Sequence, residues 1–234
     1  MLAYSSISHA DFILMGVVAA WKLEGGLGFN SVLFYLGAYT VSNVLAFGSL
    51  IAVGSYGKEA VSYADLAGVG RRHPWLALPF SLGILSLMGF PPTAGFFGKY
   101  YILLATVEAG GSMIWLALIA VLSSAVGAYY YLKVLVYLFM RQPEKDAPIA
   151  VPMRSGYVTA VLVATSYFVV RMGITPDTYL ALASHVADAS TVVVDWTSVL
   201  LDGGIAIVAG GIAAALTGLE PARRSSAAKA EPTS

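Results

Sequence analysis

The sequence predicts an all-α, polytopic transmembrane helix bundle. Three observations lead there. The composition is 58% hydrophobic and only 11% charged, with a mean hydropathy of +0.77. A soluble domain is about a quarter charged and under half apolar, so this chain lacks the polar surface to cover a water-facing globule. Second, the apolar residues gather into charge-free runs near the ~20 residues that a spanning helix needs. Third, those runs show no strand-like alternation, which argues against a β-barrel.

The same composition excludes several functions. A soluble enzyme and a disordered chain do not fit it. Nor does a nucleic-acid binder, which needs a basic patch. Lys+Arg and Asp+Glu balance at 13 each, so no net charge points to an anionic partner. There is no Cys, which rules out disulfides, thiolate metal sites and Cys nucleophiles.

Five spans and a weaker sixth follow in order. The first runs from Leu2 to Trp21 and is interrupted by His9 and Asp11. The second, Phe29 to Val53, carries no charge. The third begins after Pro74, stays uncharged to Gly98, meets Lys99 and continues to Val107. The fourth is Ser112 to Met140, broken only by Lys133. The fifth is Tyr157 to Val170, closed by Arg171 and the Thr175-Pro176 turn. The sixth, Gly203 to Leu219, is short and holds five glycines. Residues 1–184 thus read as a transmembrane region, 185–219 as an amphipathic or sixth membrane segment, and 220–234 as a disordered tail rich in Ala, Ser, Pro and charge.

Loop charge sets the orientation. The loop 54–75 holds Lys58, Arg71 and Arg72, and the loop 141–156 holds Arg141, Lys145 and Arg154. The alternate connections hold only Lys22 and Arg171, with nothing basic near Gly110. The positive-inside rule puts both basic loops in the cytoplasm, in a multi-pass protein of the plasma (inner) membrane. Met1 leads straight into an apolar helix with no basic n-region and no cleavage site, so it is not a secretory signal. It reads as a chain starting partway through a larger membrane protein.

The third span carries the sharpest chemical signal. Trp75 to Val107 is 33 residues, or ~50 Å as one helix, against a hydrocarbon core of ~30 Å. In its middle stands Met88-Gly89-Phe90-Pro91-Pro92-Thr93-Ala94-Gly95-Phe96-Phe97-Gly98-Lys99. Pro91 and Pro92 remove two backbone donors, and Gly89, Gly95 and Gly98 loosen the chain further. The freed carbonyls need partners from protein or water, because lipid offers none. A broken helix at mid-depth is how transporters make polar sites. Lys99 follows the break, nine residues before Glu108 and so ~13 Å from the membrane end. Its stem covers only about half that distance by snorkelling, which places it near the midplane. An ammonium there is costly, and a lysine that exchanges its proton at accessible pH is a proton carrier. The competing reading is a surface Lys99 between two separate helices.

Weaker signals surround it. Lys133 lies eight residues before Arg141, ~12 Å from the inner end. It reads equally as a proton-relay residue and as a snorkelling anchor beside Tyr129, Tyr130 and Tyr131. Tyr35, Tyr39 and Asn43 fall at i, i+4 and i+8, which puts two phenols and an amide on one face. Aligned polar groups in a membrane can order a water file; plain interhelical bonding is the alternative. Ser5, Ser8 and His9 share a face of the first span, and His9 is a second candidate relay. Asp11 lies on another face with no evident partner. His9, His73 and His185 lie on different segments, so no metal cluster can be argued. Gly25-Gly26 and Gly210-Gly211 lack the context of a phosphate loop.

Four motifs in order carry a resemblance: Leu2-Ala3-Tyr4-Ser5-Ser6-Ile7-Ser8-His9, Asp65-Leu66-Ala67-Gly68-Val69-Gly70-Arg71-Arg72-His73-Pro74-Trp75, Gly89 to Tyr100, and Tyr129-Tyr130-Tyr131-Leu132-Lys133-Val134. Over roughly Leu2 to Tyr179 the chain resembles the antiporter-like membrane subunits of proton-pumping NADH–quinone oxidoreductase, respiratory complex I, of the subunit N type. The resemblance implies a fourteen-helix family fold with two inverted five-helix repeats, each holding a broken helix with a central lysine. Lys99 matches the lysine of the second broken helix, and the five spans match the tenth to fourteenth helices. The chain would then be the C-terminal half, with the N-terminal half of the same subunit, other membrane-arm subunits and the lipid bilayer as partners. Tyr35, Tyr39 and Asn43 match positions that line a water path. The chain itself would bind no redox cofactor; NADH, flavin, iron–sulfur clusters and quinone would belong to other subunits. Asp11 departs from the family, which usually has a small residue there, and the chain from His185 on has no familiar counterpart. A subunit of a multisubunit cation/proton antiporter or membrane-bound hydrogenase, and an inactive truncated structural fragment, are the competing readings.

Overall fold

The computed structural model describes residues 2–23, 26–54, 63, 65–142 and 156–187. Among the described residues the fold is all-helical: α1 (Leu2–Lys22), α2 (Leu27–Val53), α3 (Val69–Arg72), α4 (Pro74–Met88), α5 (Ala94–Glu108), α6 (Met113–Phe139), α7 (Gly156–Ile174) and α8 (Pro176–Ala187). Three of these, α2, α6 and α7, are long and apolar enough to cross a membrane by length and composition, and α4 is a shorter apolar helix. The architecture is that of a polytopic helical membrane protein. The sixth candidate span and the tail lie outside the described residues.

Helix α2 is the central post. It packs against α1, α4, α5, α7 and α8, which fits a span without a single charge: a helix apolar on all sides is buried on most of them. Small residues allow close approach. A Cβ on Gly83 of α4 would stand 2.9 Å from the Ala46 nitrogen of α2, and one on Gly28 of α2 would stand 2.4 Å from the Ala20 Cα of α1. The largest core joins Leu45, Leu76, Phe80, Ile84, Leu138 and Val169, from α2, α4, α6 and α7.

The prolines break the third span where the sequence predicts. Helix α4 ends at Met88, and Gly89 adopts φ 89°, the left-handed turn that glycine takes without strain. The Gly89 and Phe90 amides donate back to the Ser86 and Leu85 carbonyls at 3.0 and 2.9 Å, closing the helix in a Schellman motif. Helix α5 restarts at Ala94. Its first turn gains a donor outlet, because the Gly95 amide donates to Ser86 Oγ at 3.1 Å, and Ser86 Oγ lies 2.7 Å from Ser42 Oγ on α2.

One element differs from the sequence reading. Thr175-Pro176 does not simply close the fifth span. Pro176 begins α8, because a proline at the first helical position has no donor to lose and a φ already suited to the helix. Met172 of α7 and Tyr179 and Leu180 of α8 then pack with Phe34, Ala38 and Tyr101.

The connections sort to two ends. Lys22 donates to the Gly110 carbonyl at 3.0 Å, so the end of α1 and the α5–α6 turn share one end of the bundle. At the other, the Gly68 amide reaches the Tyr137 carbonyl at 3.4 Å. Arg71 and Arg72 at the end of α3 and Arg141 after α6 are exposed.

Candidate functional site

Lys99 lies on the second turn of α5, partly buried. Its Nζ donates to the Met88 carbonyl at 2.9 Å and to Ser124 Oγ of α6 at 3.0 Å. The Met88 carbonyl is one of the orphan acceptors at the C-terminal end of α4, where the helix dipole presents partial negative charge. The break therefore builds the lysine's binding place. By ending α4 in the bundle, it aims a carbonyl at an ammonium that has no carboxylate partner among the described contacts. The Phe12 ring of α1 completes the surroundings, with its centroid 5.3 Å from Nζ, a distance at which a cation is attracted to an aromatic face. These contacts hold Lys99 within the bundle.

A second polar cluster stands on α1. His9 is 5% exposed. Its Nδ1 lies 2.6 Å from the Tyr35 hydroxyl of α2, and its Nε2 lies 3.3 Å from the Tyr131 hydroxyl of α6. Tyr131 also bonds Ser5 Oγ. Tyr39 packs its ring 4.6 Å from the imidazole and is stacked against Tyr35. Ser5, His9 and Phe12 fall at i, i+4 and i+7, so one face of α1 carries the whole set. A cavity of about 520 Å³ joins the two clusters; its lining includes Ser8, His9, Phe12, Lys99, Ser124 and Tyr131. A cavity that size with several polar partners is roomy enough for water.

The remaining candidates separate. Asn43 donates to the Tyr39 carbonyl of its own helix at 2.9 Å and does not line this cavity. Lys133 is exposed, with its Nζ 5.3 Å over the Tyr63 ring. Nine residues from Ser124, it falls on the opposite face of α6. Asp11 is exposed, away from His9. Pro91 and Pro92 form the turn, and Gly95 and Gly98 allow its packing. A Cβ on Gly95 would stand 1.8 Å from the Ser86 carbonyl oxygen, and one on Gly98 would stand 2.9 Å from the Tyr35 ring. No group of three or more His, Cys, Asp or Glu that could hold a metal occurs among the described residues. Sequence reasoning missed Ser124, Tyr131 and Phe12 as partners. A Ser123-Ser124 pair inside an apolar 27-residue helix, with Tyr131 two turns on, was the available signal.

The family described as "NADH:quinone oxidoreductase/Mrp antiporter, TM" matches residues 1–127. That stretch holds α1, α2, the break, Lys99 and Ser124. The chain belongs to this family. Among its relatives in the NADH:quinone oxidoreductase/Mrp antiporter family is NADH-quinone oxidoreductase subunit N 1 of Sorangium cellulosum (strain So ce56). It is 55% identical over 190 residues, covering 81% of this chain and 37% of that protein. Another is subunit N 2 of Roseiflexus castenholzii (strain DSM 13941 / HLO8), 44% identical over 69% of this chain and 33% of that protein. Of solved structures, respiratory complex I from Thermus thermophilus with bound aureothin aligns at TM-score 0.62 and 34% identity over 77% of this chain and 38% of that chain. The Mrp complex from Dietzia sp. DQ12-45-1b aligns at TM-score 0.64 and 22% identity, over 78% and 40%, a likeness of fold alone. The chain thus spans between 33% and 40% of the length of these relatives.

Proposed function

We propose that this chain is part of a membrane-arm subunit of NADH–quinone oxidoreductase and takes part in proton translocation coupled to electron transfer from NADH to quinone. The observation that carries the reading is Lys99, an ammonium held on the carbonyl end of a broken helix with a serine and an aromatic ring as its other neighbours. Lys99 accepts a proton from water in the cavity that His9 and Tyr131 line, and releases it toward the end of the bundle that holds Lys22 and Gly110. Release is driven by positive charge arriving nearby, which disfavours a second cation in a low-dielectric site. Five crossings, with α4 and α5 together making the third, put the loops bearing Arg71, Arg72 and Arg141 in the cytoplasm. NADH, flavin, iron–sulfur clusters and quinone are held by other subunits, and the remainder of this subunit completes the lysine's surroundings.

An Mrp-type antiporter subunit shares the fold; the 55% identity to a subunit N favours the respiratory complex. Purification through an affinity tag on this subunit from its native membrane separates the two. Co-purification of NADH–quinone reductase activity is the expected result. Recovery of an assembly that oxidises no NADH contradicts the proposal.

A further inference from the structure

The two polar clusters share a cavity, and one side chain in its lining touches both. Phe12 lies on α1 one turn beyond His9, on the same face, and is only 5% exposed. Its ring is stacked on Tyr35 with centroids 6.1 Å apart and planes 21° apart. Tyr35 is the partner of His9 Nδ1. The same Phe12 ring lies 5.3 Å from Lys99 Nζ. One apolar ring therefore touches both the phenol that ends the histidine network and the ammonium that would receive its proton. The ring's face attracts a cation, which favours Lys99 staying on Met88 and Ser124 beneath it.

From this contact we infer that Phe12 is a positioning residue for proton transfer. It holds the Lys99 ammonium on the Met88 carbonyl and Ser124. The inference rests on the reading of Lys99 as a proton carrier. A ring serving only as core filler would be replaceable by any apolar side chain of its size. A ring that holds the cation through its face is replaceable only by another ring.

The test uses the full-length subunit in the purified complex, reconstituted into proteoliposomes, with protons translocated per NADH measured beside the electron-transfer rate. Phe12→Leu is expected to lower protons per NADH at least twofold while electron transfer stays within twofold. Phe12→Tyr, which keeps the ring, is expected to retain most of the ratio. In a Lys99→Ala background Phe12→Leu is expected to add nothing further. An unchanged ratio in Phe12→Leu overturns the inference, as does equal damage from Phe12→Leu and Phe12→Tyr. If Phe12→Leu fails to assemble, Phe12→Met is read in the same way. Lys99→Ala separates the two levels. A normal ratio in that variant overturns both the proton-carrier reading and the role of Phe12. A collapsed ratio there, with a normal one in Phe12→Leu, overturns the role of Phe12 alone.

Discussion

At the scale of single residues, the bundle shows how differently two lysines in apolar helices can be placed. Lys99 and Lys133 stand nine and eight residues from the ends of their runs, so distance along the sequence gives them equal standing. Angle decides between them. Lys99 faces α6 and the carbonyl end of α4; Lys133 faces out, against Tyr63. Lys133→Gln is accordingly predicted to leave proton pumping within twofold of normal, measured by dye quenching in inverted membrane vesicles. His9 was legible as a polar residue on a face with Ser5, but its partners were not, since polar side chains in an apolar helix as often bond their own backbone, as Ser42 and Asn43 do. Replacing His9 with Leu strands the buried Tyr35 hydroxyl, while Tyr131 keeps Ser5 as its partner. Each buried polar group left unpaired costs about 1–3 kcal/mol, so the variant complex is predicted to unfold at a lower temperature in a detergent melt.

At the scale of elements, the break depends on glycines more than on its prolines alone. The prolines made the interruption readable in the sequence, because two missing donors cannot sit in a regular helix. The close approaches were not readable, because they depend on which element arrives opposite. Gly95 meets the Ser86 carbonyl, and a Cβ on Gly173 of α7 would stand 2.2 Å from the Pro92 oxygen. Gly95→Ala and Gly173→Ala must push backbone apart and are predicted to deplete the assembled complex on native gels. Gly127→Ala on α6, where a Cβ meets nothing within 4 Å, is predicted to assemble normally. Helix α8 shows what the sequence reading left out. Thr175-Pro176 ends α7 as read, and the same proline also starts a helix that covers Phe34 and Tyr101.

At the scale of the whole molecule, charge and apolar run length made the helical membrane fold legible, since both are properties of sequence intervals. The cleft between α1 and α6 was not legible, since it is a property of spacing between elements. Exposed Ser8 and Ser123 both line it, and hydroxyls are poor neighbours for lipid tails. The chain has no native cysteine, so labelling within this stretch reports the replaced position alone. Ser8→Cys and Ser123→Cys are predicted to react with a water-soluble maleimide in the full-length subunit, and buried Val169→Cys to stay unlabelled. Unreactive cleft positions would show a dry cleft and remove the water on which transfer to Lys99 depends. The most direct test of the central claim is the ratio of protons translocated to NADH oxidised in membranes carrying Lys99→Ala in the full-length subunit. A fully assembled complex that still reduces quinone but pumps at a sharply lowered ratio is the predicted result. An unchanged ratio would contradict the account and leave Lys99 a structural cap on α4.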